Sequence, residues 1–307
     1  MTPAPLFETV VVGVDGRKGG GDALRLGHQL AQAGGGALIA VRVFPYQYRP
    51  AVKGAPAVEE QRRSTEAALD RELSDAGLHS ARARVVGDTS PARALHSVVD
   101  REQADLLVVG STHRGRIGRV LAGDVALATL AGSPCPVAVA PSGFAGMNEA
   151  PLRAIGVGFD GAPESQHALA LASALAKRTG ARLELLCAVP PPGAVFTGAA
   201  YEDGGIVDYR IDAQDVISRT VAGLDADASG EAVIGNSVEW LAELSERVDL
   251  LVVGSRGRGP LRRTLLGSTS AKLIRKAACP VLVMPRGAAT RELREHDPAA
   301  STVGATS

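Results

Sequence analysis

The chain contains two copies of one pattern, and this repeat constrains its fold more than any other feature. Three segments recur in the same order: VVVGVDG (10–16) as AIGVGFDG (154–161), DLLVVGST (105–112) as DLLVVGSR (249–256), and SPCPVAVAP (133–141) as ACPVLVMP (278–285). Equivalent positions lie 144 or 145 residues apart in all three. Chance similarity between apolar strands would not keep that register, so the repeat indicates two copies of one domain.

We therefore predict one domain over residues 1–145 and a second over residues 150–287. A chain of 307 residues is long enough for two domains of about 150 residues, each with its own core. The stretch SGFAGMNEAPL between the copies has the glycine, asparagine and proline content of a surface connection. Residues 288–307 are polar, rich in alanine and without period, and we expect them to form a disordered tail.

Within each copy, short β-branched runs alternate with longer patterns rich in alanine and leucine. Continuous apolar strands joined by helical crossovers are typical of a parallel sheet covered by helices on both faces. The predicted fold is α/β, with two tandem Rossmann-like, five-stranded parallel sheets of the flavodoxin-type order 3-2-1-4-5. The third strand of the second copy, near residues 231–234, is the most weakly marked.

Composition narrows the class of partner. Lysine plus arginine equal aspartate plus glutamate at 33 each, so the overall charge does not favour nucleic acid or an anionic membrane. The three cysteines are odd in number and form no CxxC pair, which fits a reducing compartment. The first residues do not resemble a signal peptide, and no segment approaches the ~18 apolar residues of a membrane span. We expect a cytoplasmic protein without a nucleic-acid or membrane partner.

The segment LLVVGSRGRGPLRRTLLGS, residues 250–268, places glycines and four arginines directly after an apolar strand. In an open parallel sheet, ligands bind outside the carboxyl ends of the strands where the strand order reverses, here between strands 1 and 4. A glycine-rich loop leading into a helix offers unhindered backbone N–H groups, which suit a phosphate. Arginines beside the loop add bidentate donors.

The glycine spacing in this loop is Gly254-x2-Gly257-x9-Gly267-Ser268. With this spacing the chain resembles a tandem universal stress protein, a family whose nucleotide-binding members carry G-x2-G-x9-G-[ST]. The resemblance covers both copies and leaves out only the linker and the tail. It implies a stress-response regulatory protein that binds an adenine nucleotide, with ATP as the cofactor, alone or with Mg²⁺.

The resemblance also implies which residues of the second copy meet the ligand. From the nucleoside end to the phosphates they are Asp160, Ala188, Val253, Gly254, Gly257, Gly267 and Ser268, with Ser255, Arg256, Arg258 and Thr269 beside them. A glycine at position 257 permits close approach of the backbone. Asp160 and Ser268 also have simpler interpretations, as a turn residue and a helix N-cap, and both interpretations stay open.

The first copy departs from this pattern. Its aligned candidates are Asp15, Val43, Val109, Gly110, Ser111, His113 and Gly123. His113 stands where the second copy has Gly257, and Asp124 stands in place of Ser268. A carboxylate ~4 Å from a phosphate charge is repelled by roughly 1–4 kcal/mol, an effect that a bridging Mg²⁺ would reverse. We expect the second copy to be the better nucleotide site, and the first to bind weakly, to need metal, or to take another ligand.

Other functions stay open. A slow ATP hydrolase or an ATP-dependent enzyme needs a general base, and in the loops only Asp15, Asp160 and Asp124 could act as one. Each of these aspartates also has a structural explanation, so no catalytic residue is assigned. A third alternative is a structural pseudo-dimer that binds no nucleotide. The resemblance further implies that the two copies pair with each other through their last strands, PVAVA and PVLVM, within the one chain; both are candidate edge strands, and an apolar edge left open invites association. A homodimer of two such chains is a further alternative.

Overall fold

The computed structural model describes residues 4–44, 55–111, 124–147, 151–190, 205–255 and 268–285; for residues 55–57, 124, 205–209 and 268 it describes the backbone alone. In these ranges ten strands alternate with eight α-helices. The strands are β1 (Thr9–Gly13), β2 (Ala37–Phe44), β3 (Arg82–Gly87), β4 (Leu106–Gly110), β5 (Val137–Ala140), β6 (Ala154–Gly158), β7 (Arg182–Val189), β8 (Ala228–Ile234), β9 (Leu250–Gly254) and β10 (Val281–Met284).

The helices follow the strands as crossovers. They are α1 (Lys18–Gly34), α2 (Ala55–Asp75), α3 (Pro91–Glu102), α4 (Asp124–Leu130), α5 (Pro163–Thr179), α6 (Gly205–Ala222), α7 (Ser237–Leu244) and α8 (Ser268–Leu273). The weakly marked third strand of the second copy is present as β8, longer than predicted. Within the described residues, no helix is both long enough and apolar enough to span a membrane.

All ten strands form one sheet, in the order β3-β2-β1-β4-β5-β10-β9-β6-β7-β8. Neighbouring strands within each half are parallel. Numbered within its own half, each set of five strands has the predicted order 3-2-1-4-5. β1 and β6 are the strands at which the order reverses. This confirms the predicted α/β fold of two Rossmann-like sheets in tandem.

The two halves meet through their last strands. β5 and β10 pair antiparallel, with Val139 opposite Val281 and Val137 opposite Val283. These four side chains are at most 1% exposed, so the junction is a continuous piece of core. The predicted pairing of the two candidate edge strands within the chain is confirmed, and it removes two apolar edges that would otherwise be open to association.

Alternate residues of each strand enter two separate cores, one on each face of the sheet. Val10 and Val12 of β1 pack on the face covered by α1, α2, α5 and α6. Val11 packs on the opposite face, covered by α3, α4, α7 and α8. A strand that is buried on both faces reads as a continuous apolar run, and this explains VVV in β1 and LLVV in both β4 and β9.

The aspartate that precedes each LLVVG strand has a structural task that the sequence analysis did not assign. Asp105 accepts hydrogen bonds from the backbone N–H groups of Glu8 (2.7 Å) and Thr9 (3.1 Å) at the start of β1. Asp249 accepts the equivalent bonds from Arg153 (2.7 Å) and Ala154 (2.9 Å) at the start of β6. Each carboxylate therefore fixes the register between the first and fourth strands of its half.

A second buried carboxylate holds the connection between the halves. Asp22 of α1 is 2% exposed and accepts hydrogen bonds from the N–H groups of Gly143 (2.9 Å) and Ala145 (2.8 Å). These residues belong to a short 3-10 turn, Phe144–Gly146, whose Phe144 packs against the core below α1. The start of the connection is thus fixed to the first half.

Candidate functional site

The strand order places a crevice in each half at the carboxyl end of the strand where the order reverses. In the second half, β6 lies between β7 and β9, and Gly158 at its end pairs with both Leu186 and Val253. The chain then runs to α5 on one face, while the chain that leaves β9 returns as α8 on the other. The ends of β6 and β9, from which the two segments singled out in the sequence begin, are therefore neighbours.

Asp160 forms the turn between β6 and α5. One carboxylate oxygen accepts a hydrogen bond from the backbone N–H of Ala162 (3.0 Å), and Gly161 takes a φ of 76° that favours glycine. The hydroxyl of Ser165 accepts from the N–H of Asp160 (3.3 Å) and donates to the carbonyl of Ala162 (2.9 Å). The interpretation of Asp160 as a turn residue is confirmed. Its second carboxylate oxygen has no hydrogen-bond partner among the described residues.

Gly254 at the end of β9 lies against the first turn of α5. A Cβ atom at this position would lie 2.9 Å from Cβ and 3.0 Å from the carbonyl carbon of Glu164. Gly110 in the first half is tighter still, since its Cβ would lie 2.0 Å from the carbonyl oxygen of Gly19. Both glycines are therefore required by packing between the fourth strand and the first helix of each half, apart from any contact with a ligand.

Val253 and Ala188 contribute apolar surface rather than polar groups. Val253 is 4% exposed and its side chain belongs to the core under α7 and α8, so only its backbone faces the crevice edge. Ala188 is half-buried and lies two residues beyond Leu186, the partner of the last residue of β6. Its methyl group packs against the core on the face of α7 and α8.

The start of α8 is tied to the end of β9. The hydroxyl of Ser270 donates to the carbonyls of Gly254 (3.1 Å) and Ser255 (3.3 Å), and the N–H of Ser255 donates to Met284 (2.8 Å). Thr269 is half-buried beside them. The residues that precede and follow the loop 256–267 are thus held together at the crevice. Arg256, Gly257, Arg258, Gly267 and the side chain of Ser268 lie outside the described residues.

The helix that starts at Ser268 is short, although the pattern STSAKLIRKA would suit a helix as far as Ala277. α8 ends at Leu273, because the N–H groups of Arg275 and Lys276 bond to Lys272 and Leu273, three residues back instead of four. These tighter bonds turn the chain toward β10, which begins only eight residues after the end of α8.

The first half has the same frame. Asp15 accepts a hydrogen bond from the N–H of Arg17 (2.9 Å), next to Gly16 with a φ of 74°. The N–H of Ser111 donates to Ala140 (3.0 Å), as that of Ser255 does to Met284. Val109 is buried and Val43 half-buried, and Gly110 ends β4. His113, Gly123 and the side chain of Asp124 lie outside the described residues, so the predicted inequality of the two sites remains a prediction.

One residue near the first crevice was missed by the sequence analysis. Arg42 of β2 is 9% exposed, and its guanidinium forms an ion pair with Glu72 of α2. A Cβ on Gly16 would lie 3.2 Å from its Nη2, so the cation sits directly below the β1–α1 turn. An arginine within the apolar run LIAVRVF was the available signal. The second half has Cys187 two residues before the end of β7, where no such charge is present.

Asp160 offers a half-buried acceptor at the second crevice, suited to an amino or hydroxyl donor such as the adenosine part of a nucleotide carries. Within the described ranges, no group of three or more histidine, cysteine, aspartate or glutamate residues is arranged to hold a metal ion.

The fold and the paired crevices define a tandem α/β protein of the Rossmann-like class. The sequence profile of the Universal stress protein family matches the chain twice, over residues 6–141 and 151–285. The chain belongs to the universal stress protein family, with two copies of the family domain in tandem.

Named relatives agree with this assignment. A universal stress protein of Mycobacterium tuberculosis is 32% identical over 192 residues, which span 59% of this chain and 62% of the relative. A universal stress protein from Archaeoglobus fulgidus has a similar fold, with a TM-score of 0.63 at 20% identity, covering 91% of this chain and 98% of that one. A universal stress protein from Pseudomonas aeruginosa gives 0.62 at 17% identity over 91% and 93% of the two chains.

Proposed function

We propose that the second half binds an adenine nucleotide, with ATP as the predicted ligand, in the crevice beyond β6 and β9, and that the protein is a cytoplasmic regulator of a stress response. The observation that carries the proposal is the pairing of Gly158, two residues before Asp160, with Val253 near the end of β9, to which Ser270 ties the start of α8. A loop with four arginines and the spacing G-x2-G-x9-G-S begins and ends at this point.

The proposed contacts divide between the two ends of the nucleotide. The free carboxylate oxygen of Asp160 accepts a hydrogen bond from the adenosine part, beside Ala188 and the backbone of Val253 and Gly254. Backbone N–H groups near Gly257 and Gly267, with Arg256 and Arg258, bind the phosphates. Ser255, Ser268 and Thr269 lie where the loop joins the strand and the helix.

Regulation is favoured over hydrolysis because Asp160, the candidate base in the second half, already has a structural role. One oxygen of Asp160 holds the turn before α5, and a group fixed in this way is poorly placed to move a proton. The first half, with His113 and Asp124 in its loop, is the weaker site or requires Mg²⁺ between Asp124 and the phosphates.

Mass spectrometry of small molecules released from freshly purified protein tests the proposal. We expect an adenine nucleotide at a stoichiometry near one per chain. A protein that carries no nucleotide, and whose heat of titration with ATP is flat, would be the structural pseudo-dimer instead. Steady release of phosphate from ATP, abolished by Asp160→Ala, would identify the slow hydrolase.

A further inference from the structure

A cavity of about 380 Å³ lies on the surface between α7 and α8. It is lined by Asn236, Ser237, Val238, Thr269, Lys272, Arg275 and Lys276. We call this cavity the basic groove, because three of its lining side chains are cations. Its volume is within the range of pockets that hold small ligands.

None of the three cations lies within 4.0 Å of a carboxylate oxygen among the described residues. Lys272, Arg275 and Lys276 are all exposed. Four other surface arginines are each paired with a glutamate or an aspartate: Arg62, Arg93, Arg182 and Arg247. Three like charges around one concave surface repel one another, and a multivalent anion relieves that repulsion.

The first half provides an internal comparison. With equivalent positions 144 residues apart, Lys272, Arg275 and Lys276 correspond to Ala128, Ala131 and Gly132. Thr269 corresponds to the exposed Val125. The fold of the domain therefore does not require these cations, since the first half builds the same helix and strand without them.

The attraction of the groove for anions rests on side chains rather than on free backbone donors. The N–H of Val238, which faces the groove from the start of α7, already donates to the side chain of Asn236 (2.9 Å). The hydroxyls of Ser237 and Thr269 add neutral hydrogen-bonding groups between the charges.

We propose that the basic groove binds a condensed phosphate chain, with Lys272, Arg275 and Lys276 as its cationic ligands. The charge pattern fits this chemistry because successive phosphates carry negative charges at short intervals, and lysine and arginine both bind phosphate oxygens well. Two sources supply such a chain: free inorganic polyphosphate, or the phosphate tail of a nucleotide whose adenosine part lies beyond β6. Thr269, where the groove meets the start of α8, connects the two regions.

Titration of the full chain with inorganic tripolyphosphate tests the proposal. In ~0.1 M salt, the triple variant Lys272→Ala/Arg275→Ala/Lys276→Gly should bind tripolyphosphate at least about tenfold more weakly than the wild type, since each contact with a charge contributes even when solvated. The single variant Arg275→Ala should lie between them. The affected residues are exposed, and we expect the melting temperature of the unliganded protein to remain within about 2 °C of the wild type.

A matched control separates the groove from the general charge of the surface. Lys177→Ala/Arg210→Ala/Arg219→Ala removes three exposed cations from α5 and α6 on the opposite face of the same half. This variant should bind tripolyphosphate within about twofold of the wild type. Equal losses in both triple variants, unchanged binding in the groove variant, or no binding by the wild type would each overturn the proposal.

Competition distinguishes the two sources of the chain. If ATP displaces tripolyphosphate and the groove variant weakens both, the groove binds the tail of the nucleotide. If tripolyphosphate binds to the ATP-saturated protein, the groove is a separate site for inorganic chains. A chain that binds tripolyphosphate through the groove but fails to bind ATP would support this inference and refute the proposed nucleotide site.

Discussion

Gly254 and Glu164 touch so closely that a methyl group on Gly254 would lie 2.9 Å from Cβ of Glu164. The end of β9 and the first turn of α5 are thereby held at a fixed distance, and the crevice is the space that remains beyond them. A residue that the family resemblance assigns to nucleotide contact is thus also a spacer between two elements of the fold.

We predict that alanine at these glycines destabilises the protein in proportion to the clash. Gly254→Ala should lower the free energy of unfolding by about 1 kcal/mol, and Gly110→Ala by about 3 kcal/mol, since its Cβ meets a backbone oxygen at 2.0 Å. Gly21→Ala, inside α1 with nothing within 4 Å, should instead stabilise by about 0.5–1 kcal/mol. Urea denaturation measures all three, and equal stability of the three variants would refute the packing role.

The aspartates before β4 and β9 should be required for stability but not for ligand binding. Asp105→Ala removes the carboxylate that accepts from two backbone N–H groups and should cost about 2–4 kcal/mol of unfolding free energy. Asp249→Ala should cost less, because the N–H of Arg153 is exposed to water. The exposed Asp212 of α6 is the control, and Asp212→Ala should change stability by less than about 0.5 kcal/mol.

The cysteines should differ in reactivity. Burial raises the pKa of the Cys279 thiol well above its usual range, and the Cys135 side chain is inaccessible to a reagent because the residue is only 1% exposed. Cys187 is half-buried. Treatment of the native protein with iodoacetamide at pH 8 should modify Cys187 first, and Cys135 and Cys279 only after unfolding. Rapid alkylation of Cys279 in the native protein, detected by peptide mass spectrometry, would contradict the burial of this thiol in the core.

The two turn aspartates allow the nucleotide sites to be compared within one chain. Asp15 and Asp160 each accept one hydrogen bond from the N–H two residues ahead, so Asp15→Ala and Asp160→Ala should lower the melting temperature by similar amounts. Only Asp160→Ala should weaken ATP binding, by about tenfold or more. Equal effects of the two substitutions on ATP affinity would show that the halves bind nucleotide equally.

The order of the sheet could be predicted from the sequence because the repeat, the alternating patterns and the rules for parallel crossovers leave few topologies. The pairing of β5 with β10 was implied by the family resemblance, and the two apolar edges agreed with it. The role of Asp22 could not be predicted in this way, since its partners Gly143 and Ala145 lie more than 120 residues further along the chain. Only the packed structure brings them together.

At the candidate site, too, the local features could be predicted from the sequence and the contacts between distant segments could not. The turn at Asp160 follows from its local sequence, because aspartate before glycine commonly bonds its own backbone two residues on. The contact between Gly254 and α5 depends on how the helix lies across the strand, and the burial of Arg42 depends on a glutamate 30 residues away in α2. The end of α8 at Leu273 could not be predicted, because the apolar pattern after Ser268 continues past that residue.

Isothermal titration of the full chain with ATP, for the wild type and for Gly257→Val, tests the central claim most directly. A valine at this position should block the approach of phosphate to the loop backbone while leaving the core intact. We predict that ATP affinity falls by at least about tenfold while the melting temperature of the unliganded protein changes by less than about 2 °C. Unchanged affinity in Gly257→Val would contradict the nucleotide site.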